Sequence, residues 1–95
     1  MIIQIVKFKT TLTDEEVMAV AKERVPQFQA MPGLLQKYYI KADQPGEFGG
    51  VYLWDSMESL KSYRESDLSA SIAEAYKVQG QPVVEVYDTV LQLRE

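Results

Sequence analysis

Two stretches with helical spacing, each bracketed by short β-branched and aromatic runs, constrain this chain more than any other feature. Ile2–Lys9 reads as a strand, followed by the turn-type residues "TTLTD". Thr13 then opens a helix. Glu16 stands three positions on, at capping-box spacing, and Asp14 and Glu15 occupy the first turn, where the helix dipole favours negative charge. Val17, Val20, Ala21, Val25 and Phe28 make one apolar stripe. Pro26 predicts a kink or a change of helix, and Pro32-Gly33 ends the segment. Leu34–Lys41 and Phe48–Asp55 read as strands joined by a turn at Pro45-Gly46. Ser56 starts a helix with Met57, Leu60 and Tyr63 on its apolar face. A second helical piece from Asp67 carries Leu68, Ile72, Ala75 and Tyr76, Gly80 and Pro82 stop it, and Val83–Leu93 forms a long last strand.

The order is βαββαβ. Parallel crossovers are right-handed, which leaves one simple solution: an α+β, ferredoxin-like split sandwich with a four-stranded antiparallel sheet ordered 4-1-3-2. Strand two carries Lys37 and Lys41 on one face, as suits an edge strand protected by charge. The other strands are apolar on both faces. Ile3 and Ile5 oppose Ile2, Val6 and Phe8; Val51 and Leu53 oppose Tyr52 and Trp54; Tyr87 and Leu91 oppose Val84, Val86 and Val90. Two helices cover one face only, and an uncovered antiparallel face is normally polar. A second copy of the chain, in a homodimer, is the simplest cover.

Ninety-five residues form one domain spanning 1–95. A chain this short buries only about 60–65% of its unfolded surface when it folds alone, so partner burial would help. The net charge of −4, without a basic cluster, argues against nucleic acid and against an anionic membrane surface. The chain has no cysteine and no histidine. Thiolate chemistry, zinc–cysteine sites, disulfides and histidine-ligated haem are thereby excluded, and no cofactor or metal is expected. The opening "MIIQIVKFK" has its lysines after the apolar run, unlike a signal peptide, and no stretch reaches the roughly 20 apolar residues of a membrane span. A cytoplasmic location is the expectation.

The stretch Gly49-Gly50-Val51-Tyr52-Leu53-Trp54 raises the functional question. Glycine weakens a strand interior. The pair either permits close packing or leaves room beside a ligand. Trp54 is either core or the wall of a pocket for a flat ring. Tyr39, Tyr52, Tyr63 and Tyr87 are candidate substrate contacts through their hydroxyls, and Arg64 is a candidate partner for an anionic oxygen or a solvated helix residue. Asp55 and Asp88 lie at strand ends; Asp55 starts a helix, or acts as a base if burial raises its pKa. No residue stands out as catalytic.

Pro32-Gly33-Leu34, the Gly-Gly-hydrophobic-aromatic run, the helix entry Asp55-Ser56-Met57-Glu58-Ser59-Leu60 and the closing Val86-Tyr87-Asp88 together resemble the YdhR-type monooxygenase family. That family belongs to the dimeric α+β barrel superfamily, beside the antibiotic-biosynthesis monooxygenases. The resemblance implies two sheets closing a barrel across a two-fold axis, and a pocket between each sheet and its own helices. It implies a cofactor-independent monooxygenase acting on a small electron-rich aromatic, phenol or quinol-like. Trp54 matches a tryptophan that recurs in active relatives. The chain departs from haem-degrading relatives in having no histidine. The alternative is a non-catalytic dimeric protein that binds a small molecule in the same pocket.

Overall fold

The computed structural model describes residues 1–94. Its elements are β1 (Ile2–Thr10), α1 (Asp14–Gln29), β2 (Leu34–Lys41), β3 (Glu47–Trp54), α2 (Met57–Arg64), the one-turn helices α3 (Asp67–Ala70) and α4 (Ile72–Ala75), and β4 (Val78–Asp88). The sheet is antiparallel throughout, in the order β2-β3-β1-β4. The ferredoxin-like sandwich expected from the pattern is therefore the fold.

Local chemistry places the helices. Thr13 accepts from the Glu16 amide while the Glu16 carboxylate accepts from the Thr13 amide, so both halves of the capping box form. The serines before α2 and α3 repeat the device: Ser56 caps through the Ser59 amide and Ser66 through the Ser69 amide. Pro26 does not start a new helix. It sits in the last turn of α1, which runs on to Gln29, so only one intrahelical hydrogen bond is lost near an end already short of partners. The segment expected as one helix from Asp67 is two single turns meeting at Ser71.

The last strand differs from its expected span of Val83–Leu93. It begins at Val78 because Gly80, with φ of +69°, and a register shift opposite Lys7–Lys9 carry it through the glycine and Pro82. As an edge strand, β4 has amides with no ladder partner, so a proline is tolerated there. Pairing stops at Asp88 because its partner on β1 is Ile2; one further bond joins the Thr89 amide to the Met1 carbonyl. Val90, Leu91 and Leu93 lie beyond the sheet, exposed.

The helices cover one face. On it lie Ile2, Gln4, Phe8 and Thr10 of β1 and Phe48, Gly50, Tyr52 and Trp54 of β3, all buried. Val51 and Leu53 point the other way and are only partly covered. The core falls into two clusters, one of Ile2, Phe28, Tyr52, Trp54, Leu60 and Tyr63, the other of Phe8, Val17, Phe48 and Tyr76.

Candidate active site

Between these clusters the sheet and helices do not close. A cavity of about 230 Å³ lies under α1 and α4. All four residues of the second cluster line it, with Tyr52 from the first and with Val6, Ile72 and Tyr39. A second chamber of about 160 Å³, walled by Gln4, Tyr52, Tyr63, Arg64 and Val84, shares Val6, Phe8, Tyr52 and Ile72 with the first. Small residues in its lining, Ala21 on α1 and Gly50 on the helix-facing side of β3, leave the space open.

The two glycines serve different ends. A Cβ on Gly49 would lie 2.0 Å from the Val6 carbonyl oxygen, so close approach of β1 and β3 demands glycine there. A Cβ on Gly50 would instead press on the Tyr52 ring and the Lys37 side chain, at 3.1 and 3.2 Å. Its absence leaves room where Lys37 enters.

Lys37 is the residue that sequence reasoning misplaced. Its parity on β2 is that of Tyr39, and its register partner is Tyr52, so it points under the helices rather than guarding an edge. Its Nζ sits 3.4 Å from the centroid of the Phe28 ring, 4.4 Å from that of Tyr39 and 4.6 Å from that of Tyr52. The electron-rich ring faces partly compensate an ammonium there. No carboxylate does, since the ion pair among the described residues is Lys41 with Asp14, 2.5 Å apart at the cavity mouth. Burial therefore pushes the Lys37 ammonium down to about 7, and the charge of Arg24 adds to the effect. Arg24 itself joins α1 to the short helices, donating to the Leu68 carbonyl and to Ser71 Oγ. The shared parity of Lys37 and Tyr39 was the available signal; a lysine at an edge strand reads by default as a solvated charge.

The other candidates separate clearly. Tyr52 lines both chambers, Tyr39 the larger, and Tyr63 and Arg64 the smaller. The Tyr52 and Tyr63 hydroxyls stand 3.5 Å apart, and burial raises the pKa of both phenols, so they remain protonated donors at neutral pH. Trp54 is 0% exposed and lines neither chamber. It stacks behind Tyr52, nearly parallel with ring centroids 6.1 Å apart, and its Nε1 donates to Gln4 Oε1 at 2.9 Å. Tyr87 faces the opposite side of the sheet, half exposed, where its hydroxyl donates to Glu85. Asp55 accepts from Ser59 Oγ at 2.6 Å, which holds its pKa below the usual carboxylate value; it braces the entry to α2 and lacks the burial that would raise its pKa. Asp88 is exposed at the end of β4. Among the described residues, no group of three or more carboxylates is placed to hold a metal ion, and no helix is long and apolar enough to cross a membrane.

The family model described as "Putative mono-oxygenase ydhR" matches residues 2–90. The chain belongs to the ydhR family. No curated protein matches it in sequence. Among solved structures, SnoaB, a cofactor-independent oxygenase from Streptomyces nogalater, superposes with a TM-score of 0.78 at 12% identity, over 99% of this chain and 97% of that one. A protein of unknown function from Nitrosomonas europaea, NE2512, gives 0.77 at 15%, over 99% and 93%. An antibiotic biosynthesis monooxygenase gives 0.74 at 16%, over 96% and 100%. At these identities the likeness is one of fold. This ydhR-family chain shares the architecture of the antibiotic biosynthesis monooxygenases.

Proposed function

We propose that this ydhR-family protein is a cofactor-independent monooxygenase that oxidises a small electron-rich aromatic, a phenol or quinol, in the cavity between its sheet and helices. The observation that carries this reading is the cavity itself: an apolar, aromatic-walled space that Lys37 enters with no ion-pair partner among the described residues. Ligand pockets commonly measure about 300–1,000 Å³, so a chamber of about 230 Å³, with one of about 160 Å³ across the shared Val6, Phe8, Tyr52 and Ile72, suits a small ring substrate.

The chemistry asks little of the protein. A phenol, once ionised, passes one electron to dioxygen; the phenoxyl radical and superoxide then combine at a hydrogen-bearing ring carbon ortho or para to the oxygen. Loss of water from the hydroperoxide leaves a quinone, with one oxygen atom incorporated and the other released as water. The substrate supplies all four electrons. The cavity contributes a dry environment and fixed orientation, and the Tyr52 and Tyr63 hydroxyls are donors for a developing oxyanion.

We further propose that the chain works as a homodimer. The outer face of the sheet presents Ile3, Ile5, Val51 and Leu53 only partly covered, with Tyr38, Val83 and Tyr87 exposed. Contiguous apolar surface on this scale marks an interaction site. A second copy matches it face to face, and the exposed Val90, Leu91 and Leu93 would lie over the partner.

The test is dioxygen uptake over a panel of phenols, hydroquinones and anthrones, without added flavin or metal, followed by mass spectrometry of products formed under ¹⁸O₂. The expected result is uptake with one labelled oxygen per product, abolished by Ile72→Trp, which adds bulk at a residue lining both chambers. Absence of uptake across the panel would overturn the assignment.

A further inference from the structure

We infer that Lys37 is the proton acceptor of this site, and that the cavity takes aromatic hydroxyl compounds whose acidity is raised by a conjugated carbonyl or nitro group. The inference rests on the monooxygenase reading for the fate of the anion, but not for its formation.

The geometry makes the case. Lys37 reaches the larger cavity from β2 and has no acid within ion-pairing distance among the described residues. Among the described residues, the titratable and charged groups beside it or lining the same cavity are Tyr39 and Lys41 on its own strand, Tyr52 on β3, Arg24 and Asp14 on α1 and Tyr76 beside α4, with Tyr63 of α2 next to Tyr52. Asp14 and Lys41, at the cavity mouth, are paired with each other. All four phenols are shifted upward, Tyr76 to about 12, so none competes as an anion. The charge of Arg24 opposes protonation of Lys37. A lysine in this setting is a free amine in a substantial fraction of molecules at neutral pH. Desolvation beside a second cation is a recognised way to produce such an amine.

The step is a simple transfer. The O–H bond of the bound hydroxyl breaks, a bond forms from its proton to Nζ, and an ammonium–phenolate pair results with no change in oxidation state. Once Nζ has taken the proton, the phenolate stands as its counter-charge, which no carboxylate among the described residues supplies. Matching of base and acid selects the substrate class. A base near 7 takes a proton from a carbonyl-conjugated phenol at small cost and from an unactivated one at large cost.

The experiment uses 4-nitrophenol, which absorbs differently as phenol and phenolate, added anaerobically to the intact protein below the probe's ionisation midpoint in water. The wild type should bind it as phenolate. Lys37→Met should bind it, if at all, as the neutral phenol, and the fixed cation of Lys37→Arg should still bind it as phenolate. With a substrate found by dioxygen uptake, wild-type kcat/KM should rise with pH through about 7, because the free amine is the active form. Lys37→Arg should lose about 10²-fold or more, the usual worth of a positioned base, together with that rise. Neutral probe in the wild type, or full uptake by Lys37→Met, would overturn the role of Lys37 while leaving the oxygenase reading standing. Bound phenolate without uptake on any substrate would support Lys37 and overturn only the oxygenase reading.

Discussion

Replacing Lys37 by methionine should stabilise the fold, in a way that depends on pH. The lysine carries its ordinary pKa of 10.5 when unfolded and about 7 in the folded protein, a displacement caused mainly by burial. Folding at neutral pH must therefore either strip a proton or bury an uncompensated charge. At about 1.4 kcal/mol per pH unit of displacement, the cost is on the order of 4–5 kcal/mol at and below pH 7. The sign follows from proton binding. Between about 7 and 10.5 the unfolded chain holds the proton and the folded one does not, so stability rises with pH across that window. From pH 7 to 9 the wild type should gain about 2 kcal/mol relative to Lys37→Met, in which this titration is absent. Methionine matches the stem of the lysine and packs against Phe28, Tyr39 and Tyr52 without a charge. Working below pH 9.5 avoids the tyrosines, whose raised values act in the opposite direction at higher pH. The assay is urea unfolding of both proteins at pH 6, 7, 8 and 9, at matched concentration. The variant should be the more stable at pH 6 and 7, with the gap narrowing toward pH 9. A gap independent of pH, or a less stable variant, would show that Lys37 is solvated and paired in solution and would refute the reasoning.

Gly49→Ala should destabilise by at least the roughly 1–3 kcal/mol typical of overpacking, because its Cβ meets a strand carbonyl rather than a flexible side chain; thermal denaturation would show it, and a neutral result would mean that β1 and β3 are further apart. Trp54→Phe should lose about 1–3 kcal/mol, since Gln4 keeps its burial and loses its donor, while the affinity for 4-nitrophenol stays near wild type. A large loss of probe affinity in a folded Trp54→Phe protein would place the indole in the pocket after all. Leu53→Lys should convert a dimer into a monomer of 10.8 kDa by light scattering at low micromolar concentration, with the wild type at twice that mass. Wild type at the monomer mass would remove the homodimer.

How much of this protein is legible in its sequence depends on the range over which each feature is decided. Caps, strand alternation and element order are local or nearly so. Thr13 with Glu16 announces α1, Ser56 announces α2, and Tyr52-Leu53-Trp54 states which residues share a face; right-handed crossovers then leave little choice of topology. The limits of β4 were not local, because a strand ends where its neighbour does, and Ile2 on β1 sets the stop at Asp88. The site was less legible still. Trp54, the most conspicuous residue in the sequence, is packed as core behind Tyr52, while Lys37, an ordinary lysine on an edge strand, lines the cavity with its Nζ among the rings of Phe28, Tyr39 and Tyr52. Sequence determines that Lys37 carries an amine on a long stem with the same parity as Tyr39. Only the tertiary structure decides that Phe28 comes from α1, Tyr52 from β3 and, among the described residues, no carboxylate within ion-pairing reach, and it is this non-local desolvation that lowers the pKa of the ammonium.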